Sequence, residues 1–190
     1  MSVNNLTSHR RQPIIGACVD QGIGGNDAQL DMKQHLIQLS SFIENWHYSV
    51  NPQEFYKFLD DNPKTQIFLI MSGQIHEEIV PAKHTYENIH SIYIFCADVN
   101  AHRRLKEEFD KVKDVMNIND DVYERIADEL SLLLLNIGES YIRSSDRGLA
   151  HNCLNEALRL MNTTLHFQNN HGRVIQAKEL LESIDLSINL

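Results

Sequence analysis

The feature that most constrains the fold of this 190-residue chain is a set of three short apolar runs, at residues 14–19, 67–71 and 92–96. Apolar and polar residues do not alternate within these runs, as they would in strands with one face in water. Unbroken apolar runs of this length are typical of strands covered on both faces. They predict a parallel sheet clad by helices, to which residues 48–50 and 112–116 add two weaker strands.

Between these apolar runs, apolar residues recur at the spacing of α-helices. A second helix begins at Asn51-Pro52, which supply its N-cap and first turn. Two more helices are predicted over residues 74–89, with a break or an end near Pro81, and over residues 100–111, with Asn100 as the cap. The first helix is marked by an apolar stripe with steps of three or four residues, formed by Met32, Leu36, Leu39, Ile43 and Trp46.

Strands that alternate with crossover helices form a parallel sheet with right-handed connections. We therefore predict an α/β fold, a three-layer open sheet of five parallel strands of the flavodoxin-like or receiver-like kind. Beyond this sheet the chain carries only helical stripes, separated by polar breaks at residues 144–148 and 169–172. The predicted organisation is a disordered N-terminus at 1–12, an α/β module at 13–118 and a helical segment at 119–190.

The helical segment resembles a single tetratricopeptide repeat between residues 134 and 162. The positions that match the motif's offsets are Leu134, Ile137, Gly138, Tyr141, Ala150, Leu154 and Ala157. The resemblance implies that Gly138 and Ala150 let two helices approach closely. It departs from the motif where Leu134 replaces Trp, Leu154 replaces Phe and Asn162 replaces Pro. Because one repeat cannot bury its own face, the α/β module must cover it or partner repeats are missing.

The α/β part resembles an accessory module of an uncharacterised invertebrate family. Four segments carry the resemblance, at residues 67–73, 78–81, 90–96 and 111–113. In that family the module precedes tetratricopeptide repeats or an arginine-directed ADP-ribosyltransferase domain. The resemblance implies an accessory role, because the transferase activity of those relatives lies in a separate domain.

An open parallel sheet binds ligands outside the carboxyl ends of its strands. The residues expected in that crevice are Asp20, Gly22, Gly24, Gly25, Ser72, Gly73 and Asp98. Glycines after a first strand can present backbone N–H groups to a phosphate. Asp27, however, occupies the place of the last glycine of the dinucleotide fingerprint, and the Gly-Lys-Ser/Thr of a Walker motif is absent. A flexible loop with an N-cap at Asn26 or Asp27 is the favoured interpretation.

The same residues offer little for catalysis. A receiver domain needs an acidic pair after its first strand, whereas Asp20 is a single acid, and Asp98 stands where a hydroxyl is expected. No base adjoins a nucleophile in the expected crevice. Ten histidines are scattered without His-Glu-x-x-His spacing, and no cysteine pair has zinc spacing. We predict no metal, no cofactor, and neither NAD cleavage nor nucleoside triphosphate hydrolysis.

The net charge and the cysteines indicate which classes of partner and which cellular compartment to expect. The formal net charge is −9 and acidic residues outnumber basic ones in both predicted parts, which disfavours nucleic acid and anionic membranes. Three widely spaced cysteines and the lack of an apolar leader predict a cytoplasmic protein with reduced thiols.

These observations predict a non-catalytic module for protein–protein interaction or scaffolding. The alternative is a sensor of a small molecule or nucleotide, of the NAD or ADP-ribose kind, that binds at the strand ends. A third possibility, a residual enzyme acting on NAD or ADP-ribose, follows only from the resemblance to the transferase-associated family.

Overall fold

The fold is seen in a computed structural model that describes residues 12–20, 26–73 and 75–186. The side chains of residues 26–31 are outside this description. Most of the predicted disordered N-terminus and all of the predicted glycine loop, including Gly22, Gly24 and Gly25, also lie outside the described residues.

The five-stranded parallel sheet is confirmed. Its strands are β1 Ile14–Val19, β2 Ile43–Ser49, β3 Gln66–Ser72, β4 Ile89–Phe95 and β5 Val112–Met116. Every neighbouring pair is parallel, and the strand order is β2-β1-β3-β4-β5. The chain moves outward from β1 to β2 and then returns across β1 to β3, so the order reverses between β1 and β3. That reversal is the switch point at which open α/β sheets form a crevice.

The described helices connect the strands and then continue beyond β5. They are α1 Asn26–Leu39, α2 Pro52–Asp61, α3 His76–Lys83, α4 Val99–His102, α5 Leu105–Glu108, α6 Asn119–Arg143, α7 Arg147–Thr163 and α8 Gly172–Leu186. The predicted start of α2 is confirmed, because the Asn51 side chain accepts a hydrogen bond from the Glu54 backbone N–H at 3.0 Å. No helix in the described part of the chain combines the length and apolar character needed to cross a bilayer.

The prediction that Ile43 and Trp46 continue the first helix is wrong. Helix α1 ends at Leu39, and the Ser40 hydroxyl accepts a hydrogen bond from the Phe42 N–H at 3.1 Å in the turn that follows. Ile43 and Trp46 lie on β2, which is therefore longer than the predicted 48–50. The helical spacing arose because residues of two elements pack together: the Trp46 indole donates to the Leu36 carbonyl at 3.1 Å.

Two further predicted helices have different limits. The helix expected over 100–111 is two four-residue helices, and the first of them is capped by Asp98 and not by Asn100. The helix expected over 74–89 ends at Lys83, and Pro81 lies within its last turn.

Helices cover both faces of the sheet with two apolar cores. Helices α2 to α5 close one face around residues such as Phe55, Leu69 and Ile92. Helices α1 and α6 close the other face, where Tyr93 and Ile126 belong to one continuous core. That core extends through α6 into α7 and α8, so the sheet covers one side of the helical segment. The division into domains at residue 118 stays a prediction.

The helices of the predicted hairpin approach closely where expected. A Cβ added at Gly138 of α6 would lie 2.9 Å from the Leu154 side chain and 3.6 Å from the Ala150 carbonyl oxygen of α7. Ala150 and Ala157 are fully buried. The close contact is confirmed, and the assignment to a tetratricopeptide unit stays a prediction.

Candidate functional site

A cavity of about 270 Å³ lies at the carboxyl ends of β1, β2 and β3. The strand register pairs Val19 with both Ser49 and Met71, so the three strand ends lie side by side. Helix α1 and the first residue of α6 complete the walls through Lys33 and Asn119. The cavity thus occupies the switch point at which ligands bind in open α/β sheets.

Most of the cavity wall is apolar. The apolar side chains that line it include Cys18, Met32, Val50, Ile70, Met71 and Phe95. Ile70 and Met71 belong to the buried core of β3, and their positions are fixed by pairing on both sides of the strand. A wall of this kind favours an apolar body in the bound molecule.

Two serines, Ser49 and Ser72, are also among the residues that line the cavity. Ser49 at the end of β2 is 3% exposed and Ser72 at the end of β3 is 2% exposed. Neither Oγ has a hydrogen-bond partner among the described residues. A buried hydroxyl without a partner costs roughly 1–3 kcal/mol of folding free energy. The two side chains lie on opposite faces of the sheet, because Ser49 pairs with Val19 of one core and Ser72 shares its face with Ile70 of the other.

Polar and charged groups lie around the cavity's edge. The Lys33 ammonium sits over the Tyr48 ring, 4.4 Å from its centroid, and the Asp20 N–H donates to the Ser49 carbonyl at 3.1 Å. Burial raises the pKa of the Cys18 thiol, against the opposing effect of the Lys33 charge, and the Asp20 carboxylate raises it further. The thiol is therefore protonated at neutral pH and is a poor nucleophile. Burial likewise raises the pKa of the Tyr48 phenol, which stays protonated.

The structure brings together only some of the residues predicted for the crevice. Asp20 and Ser72 line the cavity. Gly73 follows Ser72 and is needed for a close approach, because a Cβ there would lie 2.5 Å from the Cβ of Cys96. Asp98 is exposed and lies elsewhere: its carboxylate caps α4 by accepting from the Ala101 N–H at 3.1 Å.

The sequence interpretation missed Lys33, Tyr48, Ser49 and Asn119. Ser49 was hidden because β2 was predicted too short and too late, so that the carboxyl end of this strand was misplaced. Lys33 and Asn119 belong to helices, and their approach to the cavity depends on how α1 and α6 pack on the sheet.

The arrangement is suited to binding. Neither cavity hydroxyl contacts a base in the described parts of the chain, and the nearby His76 ring nitrogen Nδ1 is paired with the Gly73 carbonyl. Burial lowers the pKa of His76, so its ring is neutral at pH 7. No group of three or more His, Cys, Asp or Glu side chains among residues 12–20, 26–73 and 75–186 is placed to hold a metal ion. The predictions of no metal and no turnover still await measurement.

Comparison with known proteins gives no relative: no family model, curated protein or solved structure matches the chain. The resemblances to the transferase-associated module and to a tetratricopeptide repeat therefore stay predictions made from the residues alone.

Proposed function

We propose that this chain is a small-molecule-binding module, a sensor that holds its ligand in the cavity at the ends of β1, β2 and β3. The observation that carries the proposal is an apolar cavity of about 270 Å³ at the carboxyl ends of the strands. A packed core rarely leaves an empty volume of this size. A bound small molecule fills it and contacts its apolar lining.

The position of the cavity supports the same conclusion. It lies where the strand order reverses, which is where unrelated open α/β sheets bind their ligands. Fold alone does not define function, and it is the apolar lining of the cavity that favours a small molecule as the ligand.

The test is a titration of the ¹⁵N-labelled chain with four probes, benzene, indole, adenine and inorganic phosphate, followed by amide chemical shifts. We expect at least one organic probe to give saturable shifts at Cys18, Ile70 and Ser72. Ser72→Leu, which fills the cavity, should abolish them, whereas the same change at the exposed Ser144 should not. Cys18→Met is a second filling variant should Ser72→Leu lose the native spectrum. No saturable shift at the cavity with any organic probe would overturn the proposal.

A protein-interaction role for the helical segment is a second proposal. It is favoured by apolar side chains that remain exposed on all three helices, Leu132 on α6, Leu149 on α7 and Ile175 on α8. If Leu132 and Ile175 contact a second copy of the chain, sedimentation velocity will show a dimer that Leu132→Lys with Ile175→Lys dissociates. A monomer at all concentrations would exclude self-association through these helices.

A further inference from the structure

We infer that the contact between His76 and His102 is an acid-sensitive latch, which holds α4 against α3 at neutral pH and releases it when both imidazoles are protonated. The latch lies at the carboxyl ends of β3 and β4, where His76 begins α3 and His102 ends α4. Four observations support it: the packing of the two rings, the burial of His76, the charges around the pair and the weak attachment of α4.

The two imidazole rings pack directly on each other. Their centroids are 4.4 Å apart and the ring planes meet at 70°, which is an edge-to-face arrangement. This arrangement is favourable between neutral aromatic rings. Two imidazolium ions at the same distance repel each other, and salt screens this repulsion little where a charge is buried. The contact is therefore stabilising in one protonation state and destabilising in the other.

His76 is held in a position that disfavours its charged form. Its side chain is only 4% exposed, and its Nδ1 donates a hydrogen bond to the Gly73 carbonyl oxygen. Burial lowers the pKa of His76, the hydrogen bond to Gly73 opposes that effect, and the His102 charge lowers the pKa further. Because histidine in an unfolded segment has a pKa of about 6.5, the open conformation binds more protons below that pH. Acidification therefore favours opening.

The charged groups near the pair do not favour its doubly protonated form. The Glu77 carboxylate in the first turn of α3 favours protonation of the buried ring, but less strongly than burial and the second histidine oppose it. Glu78, in the same turn, accepts a hydrogen bond from a glutamine of α2 at 3.4 Å. The Asp98 carboxylate caps α4, and Arg103 adds a positive charge directly after it. On β4, burial raises the pKa of the Cys96 thiol, which stays neutral.

Helix α4 is attached weakly enough to respond. None of its four residues is buried, and the same holds for α5. The partly buried side chains of Val99 and Leu105 attach these helices to the sheet core. Segments with few buried apolar contacts open at a low cost in free energy. Opening also uncovers the Cys96 thiol, because its Sγ lies 3.5 Å from the carbonyl oxygen of Asp98 at the start of α4.

The first experiment follows α4 by NMR of the isotope-labelled full chain from about pH 7.5 to about pH 5, the range in which histidine titrates. We expect the Cα shifts of residues 99–102 to move from helical towards unfolded values, while α7 keeps its native shifts. His102→Phe keeps a ring beside His76 without a second charge and should retain the helical shifts in acid. His151→Phe, at an exposed position of α7, is the control and should respond as the wild type does. Helical shifts of α4 in the acidified wild type would overturn the inference, as would equal opening of His102→Phe.

The second experiment measures the reaction of Cys96 with dithiodipyridine, a reagent that modifies thiols in acid, and locates the label by peptide mass spectrometry. Rates are divided by those of the urea-unfolded chain at the same pH. We expect the normalised rate at Cys96 to rise at least about tenfold on acidification, and by less than about twofold in His102→Phe. The buried Cys153 of α7 is the internal control and should stay protected. His102→Gln is a second neutral variant should His102→Phe lose the native spectrum. Equal protection of Cys96 at both pH values would show that α4 stays in place and would refute the latch.

Discussion

The contact between α6 and α7 differs from the cavity at the strand ends in how completely the space between side chains is filled. Between the helices space is filled: the Leu154 side chain occupies the room that a side chain at Gly138 would take, and Ala150 is fully buried. At the strand ends about 270 Å³ is left open and two hydroxyls are left without partners. Because both regions belong to one chain, the difference is not a general looseness of packing. Under the proposed function, it separates residues that stabilise the fold from residues that line a binding cavity.

The polar groups show the same contrast. Arg173 of α8 pairs with Asp128 of α6, and Arg125 pairs with Asp114 of β5 at 3.0 Å. Each such pair is partly exposed and contributes at most about 1 kcal/mol, but together they orient α6 and α8 against the sheet. The hydroxyls of Ser49 and Ser72, by comparison, make no hydrogen bond to any described residue. Substitutions in the two regions should therefore differ in kind, which the following predictions test.

The largest expected effect is overpacking of the helical contact. Ala150→Leu adds three carbons at a fully buried position and should lower the free energy of unfolding by roughly 1–3 kcal/mol. Leu149→Ala, at the exposed neighbouring position, is the control and should change it by less than about 0.5 kcal/mol. Urea unfolding measures both. A neutral Ala150→Leu would mean that the contact can open, and the contrast with the cavity would then fail.

The next prediction concerns pH and the sheet core away from the cavity. The His90 ring packs against Phe68 with centroids 4.9 Å apart, and burial, helped by Lys113 and Lys111, lowers its pKa to about 4. In the unfolded chain the pKa of histidine is about 6.5, so the unfolded state binds more protons between these values. Stability should therefore fall as the pH drops from 6.5 towards 4, by on the order of 2 kcal/mol.

The matched variant for this pH effect is His90→Phe, which keeps a ring beside Phe68 and removes the titrating group. Urea midpoints measured across the same pH range should decline less steeply in the variant than in the wild type. The buried His76 and the partly buried His47, whose pKa values are also lowered mainly by burial, are present in both proteins and contribute equally. Parallel pH profiles would refute the assignment to His90.

The sequence predicted the sheet better than it predicted the cavity, for a physical reason. Strands buried on both faces must be apolar throughout, so the runs at β1, β3 and β4 stood out, and the limits of β5 were correct. β2 lies at the sheet edge, where Glu44 and Asn45 are exposed. Because its composition is mixed, its apolar residues matched helical spacing and the strand was not recognised. Tertiary contacts such as that between Trp46 and Leu36 can imitate a helical stripe.

The cavity depends on contacts that sequence does not encode locally. Asp20 and Ser72 were predicted because strand order places their ends together. Lys33 and Asn119 reach the cavity only through the packing of α1 and α6. Asp98 also follows a strand, but its carboxylate is engaged by the backbone of α4. A position directly after a strand therefore identifies candidate cavity residues. The conformation of the turn determines which of their side chains line the cavity.

A smaller difference in the free energy of unfolding is expected between substitutions at two helical glycines. A Cβ at Gly138 would lie 2.9 Å from Leu154, whereas a Cβ at Gly148 would meet nothing within 4 Å. Replacing either glycine by alanine removes the helix penalty of about 1 kcal/mol at most, less near a helix end. Gly148→Ala should therefore raise the unfolding free energy by a few tenths of a kcal/mol or more. Gly138→Ala should be less stable than Gly148→Ala by about 1 kcal/mol, and equal stability would show that Leu154 moves aside freely.

The smallest expected effect concerns Asp98, which the sequence placed in the crevice and the structure places at the cap of α4. Asp98→Asn retains an oxygen that can accept from the Ala101 N–H and should be nearly neutral. Asp98→Ala loses the cap and should cost about 0.5–1 kcal/mol, because α4 is short and exposed. Neither change should alter binding of a small molecule at the cavity. If Asp98→Ala weakens that binding tenfold without lowering the urea midpoint, the boundary of the site drawn from the cavity is wrong, and the carboxylate belongs to the ligand and not to the helix.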